Sequence, residues 1–209
     1  MATYTAPAPA RSTEAQPCDQ ALTADIERAR AGDELAFARL FRALQPGLLR
    51  YLTALSGNEA EDVASETWSQ VCRALPKFQG DIANFRAWVT TIARNRAIDL
   101  LRARGRRPFD PVAIEELHGQ AAADSTEGAA LESLSTRQAI AIIASLPRDQ
   151  AEAVLLRAVV GLDAKRAGDV LGKRAGAVRG AAFRGLQTLA TRLNAASGDW
   201  VYEADFTQA

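Results

Sequence analysis

Histidine and cysteine are almost missing from this chain: 209 residues contain one His, His118, and two Cys, Cys18 and Cys72. Zinc centres, disulfide frameworks and His-based catalysis therefore lack their residues. The two cysteines form no CxxC pair, so both thiols read as buried or idle, which suits a reducing compartment. No run reaches the ~18 apolar residues of a bilayer span. The opening segment MATYTAPAPARSTEAQPCDQ has no apolar core of a secretory signal. Cytoplasmic residence without membrane insertion is expected. No GxxxxGK[ST], HExxH or GxSxG motif occurs. Neither an enzyme, a catalytic residue, a metal, a cofactor nor a small-molecule substrate is therefore expected, and His118 reads as a solvated residue of an acidic stretch.

Charge is present in equal amounts, 25 basic and 25 acidic side chains, but it is unevenly spread. Residues 1–66 carry net −4, 67–107 net +7, 108–136 net −6, 137–196 net +6 and 197–209 net −3. Two basic blocks separated by an acidic spacer suggest two contacts with a polyanion.

Apolar residues recur at helical spacing and no useful β alternation appears, so the fold class is all-α. Phe37, Leu40, Phe41, Leu44, Leu48, Leu52 and Leu55 mark a helix over about 35–55, with a kink or break expected at Pro46. A second helix, about 59–75, turns Val63, Trp68, Val71, Cys72 and Leu75 inward. A third, about 84–104, turns Phe85, Trp88, Val89, Ile92, Ile98 and Leu101 inward and ends before Gly105 and Pro108. Further helices are expected at about 135–145, 148–160, 163–171 and 175–194. The expected division is a disordered leader (1–20), an N-terminal helical domain (21–107), a flexible acidic linker (108–134) with room for a short helix around 112–118, a C-terminal helical domain (135–196) and an acidic-aromatic tail (197–209). In the tail, Trp200, Tyr202 and Phe206 alternate with acids, which suits an extended segment docking one face on the C-terminal domain or on a regulator.

The strongest local signal is a helix-turn-helix. Asp163 caps one short helix, Gly172 supplies the left-handed turn residue, and Val178, Ala182, Leu186, Leu189 and Leu193 line the next helix. Lys173, Arg174, Arg179, Phe183 and Arg184 gather at the start of that helix, where such motifs enter the major groove. An ordinary helical hairpin with a solvated basic face is the competing reading. Earlier in the chain, Glu59, Glu61, Asp62 and Glu66 cluster at a helix start. They suit either the helix dipole or a basic protein partner. Phe78, Phe85 and Trp88 interleave with Lys77, Arg86, Arg94 and Arg96, as in sites for unstacked bases. Phe85 and Trp88 lie on the apolar stripe and read first as core, which leaves the loop 76–84 as the better base-contact candidate.

In this order the features resemble those of the extracytoplasmic-function sigma factors, the two-domain minimal class of the sigma-70 family. NEAEDVASETWSQVCRALPKF resembles the family's core-polymerase-binding helix, FRAWVTTIARNRAIDLLRARGRR its promoter-melting helix, and LPRDQAEAVLLRAVVGLDAKRAGDVLGKRAGAVRGAAFRGLQTL its C-terminal helix-turn-helix. The resemblance implies a subunit that binds core RNA polymerase through Glu61, Asp62 and Glu66. It implies −10 contacts from Lys77, Phe78, Asn84, Arg86, Arg94, Arg96, Arg102 and Arg104, with Asn84 receiving a flipped base. It implies −35 contacts from Lys173, Arg174, Arg179, Gly180, Phe183 and Arg184. Its partners would be core polymerase, promoter DNA and an anti-sigma factor or other regulator. The chain departs from the family pattern at Lys165 and Arg166, where acidic residues are usual, at Gly168 inside a helix, and at Gly180 and Ala181 on the recognition helix. A self-sufficient helix-turn-helix repressor or activator is the alternative.

Overall fold

A computed structural model describes residues 17–106, 108–109 and 127–198. Among them the only regular secondary structure is helical. The N-terminal region holds α1 (Pro17–Arg30), α2 (Glu34–Ser56), α3 (Ala60–Ala74) and α4 (Ile82–Ala103). The C-terminal region holds α5 (Glu127–Ala144), α6 (Arg148–Val154), α7 (Ala164–Leu171) and α8 (Ala175–Gly198), and a π-helical turn, Leu155–Val159, extends α6.

Each start has a chemical cause. Asp33 accepts the Ala36 amide at 3.0 Å and opens α2, and Asp81 accepts the Asn84 amide at 2.7 Å and opens α4. Both carboxylates satisfy amides that the helix itself leaves unpaired. Leu40, Leu44, Leu48 and Leu52 then form one buried line along α2. Of the kink or break expected at Pro46, the break does not occur. The helix runs uninterrupted through an exposed Pro46, because both halves bury the same stripe and packing outweighs the lost hydrogen bond. α3 seats Trp68 against Phe37 and Phe41, at centroid distances of 5.9 and 4.9 Å, and the indole N–H donates to Gln45 Oε1 at 2.6 Å.

Other expectations shift as well. Cys72 is exposed rather than inward, since it lies about 100° round the helix from Val71, past the edge of the buried stripe. Leu186 and Leu193 are 53% exposed, because α8 buries Val178, Ala181, Ala182 and Gly185 instead. Helix begins at Pro17, inside the stretch read as leader, and at Glu127, inside the stretch read as linker. The expected helix at 112–118, His118, most of the leader and most of the linker lie outside the described residues, as do the aromatics of the tail.

Periodicity does not announce α1, because its inner face has few apolar side chains: Ile26 and Ala29 are buried and Leu22 is half-buried. A buried carboxylate, Asp25, completes that face. Arg39 of α2 grips it with two bonds, Nε to Oδ2 at 2.8 Å and Nη2 to Oδ1 at 2.7 Å. The Arg39 bonds hold the Asp25 carboxyl below its usual range although burial opposes this. A lowered folded-state pKa gives a stability contribution that is complete above the unfolded carboxylate pKa and disappears as pH falls through the folded value. Asp25→Asn should therefore destabilise the protein clearly at pH 7 and much less near pH 3. Urea unfolding of both proteins at the two pH values checks this.

Candidate nucleic-acid interface

The helix-turn-helix is built from α7, a tight turn and α8. Asp163 Oδ1 accepts the amides of Lys165 and Arg166, both at 2.8 Å, and fixes the start of α7. Burial pulls the Asp163 carboxyl upward, but these amides and the Arg166 guanidinium outweigh it and hold the pKa below its ordinary value. Gly172 ends α7 in the left-handed region with φ 65°, and the Lys173 amide returns to the Gly168 carbonyl at 2.8 Å. That return explains the glycine inside the helix. A Cβ on Gly168 would stand 2.5 Å from the Lys173 carbonyl oxygen.

α8 presents a distinct outer face. Arg174, Arg179, Phe183 and Arg184 are exposed, and Gly180 is half-buried. Arg179 and Arg184 stand about 140° apart around the axis, one on each flank of the exposed face, with Gly176 and Gly180 between them. Among the described residues neither arginine has an ion-pair partner, nor does Arg174. Lys173 does: its Nζ lies 2.6 Å from Asp149 Oδ1, and that bond holds the Asp149 carboxyl below its usual range.

The N-terminal candidates are arranged otherwise. Lys77 ends the 3₁₀ turn after α3 and is exposed, whereas Phe78 is half-buried, its ring 5.2 Å from Phe85 and 4.9 Å from Trp88. Phe85 is fully buried and Trp88 half-buried, so both rings are core, as their places on the stripe predict. Asn84 is exposed in the first turn of α4, beside the loop 78–81. The arginines of α4 are all occupied. Arg86 lies 3.7 Å from Asp19, Arg94 Nε donates to Glu152 Oε1 at 2.6 Å, and Arg96 Nη1 donates to Glu66 Oε2 at 2.5 Å. Arg102 lies 3.5 Å from Asp99, and Arg104 and Arg106 both reach Glu59 Oε1.

These pairs divide the acidic cluster. Glu59 is buried as the anchor of two arginines, and Glu66 is exposed but engaged by Arg96. Of this cluster, Glu61 and Asp62, in the first turn of α3, are exposed and have no ion-pair partner among the described residues. The roles of Glu59 and Glu152 could not be seen in the sequence, since their partners lie 45 and 58 residues away.

Two family models match in chain order, Sigma-70 region 2 over residues 40–107 and Sigma-70 region 4 over residues 136–189. The ECF RNA polymerase sigma factor SigD of Mycobacterium tuberculosis is 34% identical over 86% of this chain and 86% of its own length. The ECF RNA polymerase sigma factor BldN of Streptomyces coelicolor is 34% identical over 80% of this chain, and the match spans 64% of its own length. The solved structure of CnrH in complex with the cytosolic domain of CnrY superposes with a TM-score of 0.58 at 23% identity, covering 84% of this chain and 98% of CnrH, which shows the shared fold. The chain belongs to the sigma-70 family, in its extracytoplasmic-function class. It is a non-enzymatic initiation factor that directs RNA polymerase to promoters. The region 2 match excludes the self-sufficient repressor reading, which has no use for such a unit.

The turn makes one clear demand. Gly168→Ala gains about 1 kcal/mol of helix propensity. It also forces a methyl into a backbone carbonyl, and overpacking of this kind costs typically 1–3 kcal/mol, occasionally more. A net destabilisation on the order of 1 kcal/mol or more is expected, read as a lower urea midpoint with an unchanged slope. A more stable variant would contradict the geometry.

Proposed function

We propose that promoter reading is divided between two faces with different electrostatic starting points. Arg179 and Arg184 contact the −35 element in the major groove, with Lys173, Arg174, Gly180 and Phe183 around them. The loop at 78–81 and Asn84 receive an unstacked −10 base, while Arg86, Arg94, Arg96, Arg102 and Arg104 serve the phosphate backbone. The observation that carries this reading is the pair of exposed arginines on opposite flanks of α8, which have no ion-pair partner among the described residues. A guanidinium with no internal partner can take guanine O6 and N7 bidentately without breaking a bond. The glycines between the arginines let the helix backbone approach the groove floor.

Glu61 and Asp62 are the main polymerase contacts in this account, and Glu66 contributes once Arg96 is drawn to phosphate. A regulator of the anti-sigma kind would find exposed apolar side chains at Phe183, 62% exposed, and Leu186, 53% exposed. Among the described residues no helix is long and apolar enough to cross a membrane, which suits a protein working in the cytoplasm beside the polymerase.

Two measurements test the assignment. Arg184→Ala should reduce discrimination between a cognate and a scrambled −35 sequence by about 1–3 kcal/mol. Equal losses on both sequences would make Arg184 a phosphate contact. Asp62→Lys should weaken core-polymerase binding about tenfold or more, and more than Glu66→Gln does, because Asp62 has no internal partner. Binding titrations of the variants with core enzyme read the difference, and unchanged affinity for Asp62→Lys would remove it from the interface.

A further inference from the structure

α8 buries one side in the fold and leaves another open. Val178, Ala181 and Ala182 are buried, whereas Phe183 is 62% exposed, Leu186 is 53% exposed and Ala190 is also exposed. At about 100° per residue these three lie within roughly 60° of one another around the axis, and Arg179 continues their line toward the start of the helix. Charge on this helix has one sign, since α8 carries Arg179, Arg184 and Arg192 and no acidic residue. Arg192 donates to Ser145 Oγ at 2.8 Å, while Arg179 and Arg184 have no ion-pair partner among the described residues. The sequence that follows α8 is complementary in both respects. Residues 199–209, DWVYEADFTQA, hold Trp200, Tyr202 and Phe206 together with Asp199, Glu203 and Asp205, and no basic residue. Ser197, Gly198 and Asp199 at the junction are turn formers, with a glycine at the point where a helix end reverses. Phe183 stands about 22 Å back along the helix from Gly198, at ~1.5 Å per residue. An extended chain rises ~3.3 Å per residue, so Phe206 reaches the level of Phe183 and Leu186.

We propose that residues 199–209 fold back antiparallel to α8 and dock as an extended segment on its exposed stripe, Phe206 on Phe183 and Leu186, with Glu203 and Asp205 met by Arg179 and Arg184. Rings at even positions share the face turned to the helix. The acids at 203 and 205 lie on the other face, where long arginine side chains rising from both flanks of α8 reach them. Docking gives carboxylates to two guanidiniums and removes apolar surface from water, and it disturbs no described helix. A tethered segment acts at about millimolar effective concentration, so a contact too weak to join separate chains still forms within one. The consequence for promoters rests on the reading of α8 given above. The segment presents what DNA presents, negative charge and flat rings, and it covers the side chains assigned to the −35 element. Any partner of this face, DNA or a regulator, then competes with it.

Paramagnetic broadening of amide NMR signals in the full chain tests the contact. A nitroxide is placed on Gln208→Cys in a Cys18→Ser, Cys72→Ser background. Amides of α8 from Arg179 to Ala190 should lose intensity. Leu186→Ser, a change at an exposed position, and Phe206→Ser, a change within the tail, should each restore most of it, and the same spectra show that the fold is kept. In a mixture of isotope-labelled chains lacking the nitroxide with unlabelled chains carrying it, no broadening is expected. Broadening in that mixture means that the tail sits on a second copy, and it overturns the proposal. So does full intensity along α8 in the parent, or broadening that survives both substitutions. The measurement contains no DNA, so it fails separately from the promoter reading. Deleting residues 199–209 should raise affinity for a duplex carrying the −35 element on the order of tenfold. Broadening combined with unchanged DNA affinity leaves the docking standing and counts against α8 as the −35 reader.

Discussion

The carboxylates that meet the guanidinium groups along α4 and just past its end organise much of the molecule. Arg94 reaches Glu152, Arg96 reaches Glu66, and Arg104 reaches Glu59, each joining helices distant in sequence. The Arg102–Asp99 pair differs, since both side chains are about three-quarters exposed and such a pair adds little. Where the acid is buried, as at Glu59 and Glu152, removing the arginine would strand a charge. Fold and binding surface thus draw on the same side chains. On the proposed function, phosphate contact at α4 would exchange one anion for another, whereas base contact at α8 would add partners to arginines that have none among the described residues.

The helix-turn-helix is held by a different economy of groups. One carboxylate, Asp163, satisfies two amides at the start of α7, and one close approach at Gly168 sets the angle at which α8 leaves the turn. Behind that corner, Leu162, Ala167, Val170, Val178, Ala181 and Ala182 join the buried core. The outer face of α8 carries Gly176 and Gly180, which cost helix propensity.

Much of this was legible in the sequence. The buried line from Leu40 to Leu52, the caps Asp163 and Gly172, and the core placement of Phe85 follow from spacing and residue chemistry. The failures share a physical reason. α1 is a helix whose inner face is completed by Asp25 and by an arginine 14 residues away, so hydrophobic period alone cannot find it. Pro46 stays inside a helix because packing on both sides outweighs one missing hydrogen bond. Within the acidic cluster, Glu66 is also engaged by Arg96 of α4, and Glu59 is held by Arg104 and Arg106 just past the end of α4. Pairings across 30 to 58 residues are decided by the fold, and a linear reading sees only the charges. The departure at Arg166 was visible in the sequence, but its reach to Asn84 was not.

The central claim is that this chain recruits polymerase to promoters by two elements read together. The most direct measurement is run-off transcription with core RNA polymerase, the purified chain and a library of genomic fragments. The account predicts discrete start sites whose upstream DNA shares a −10 and a −35 element at fixed spacing, with none from core enzyme alone. Transcription unchanged by adding the chain, together with tight binding of the chain by itself to a palindromic duplex, would contradict it.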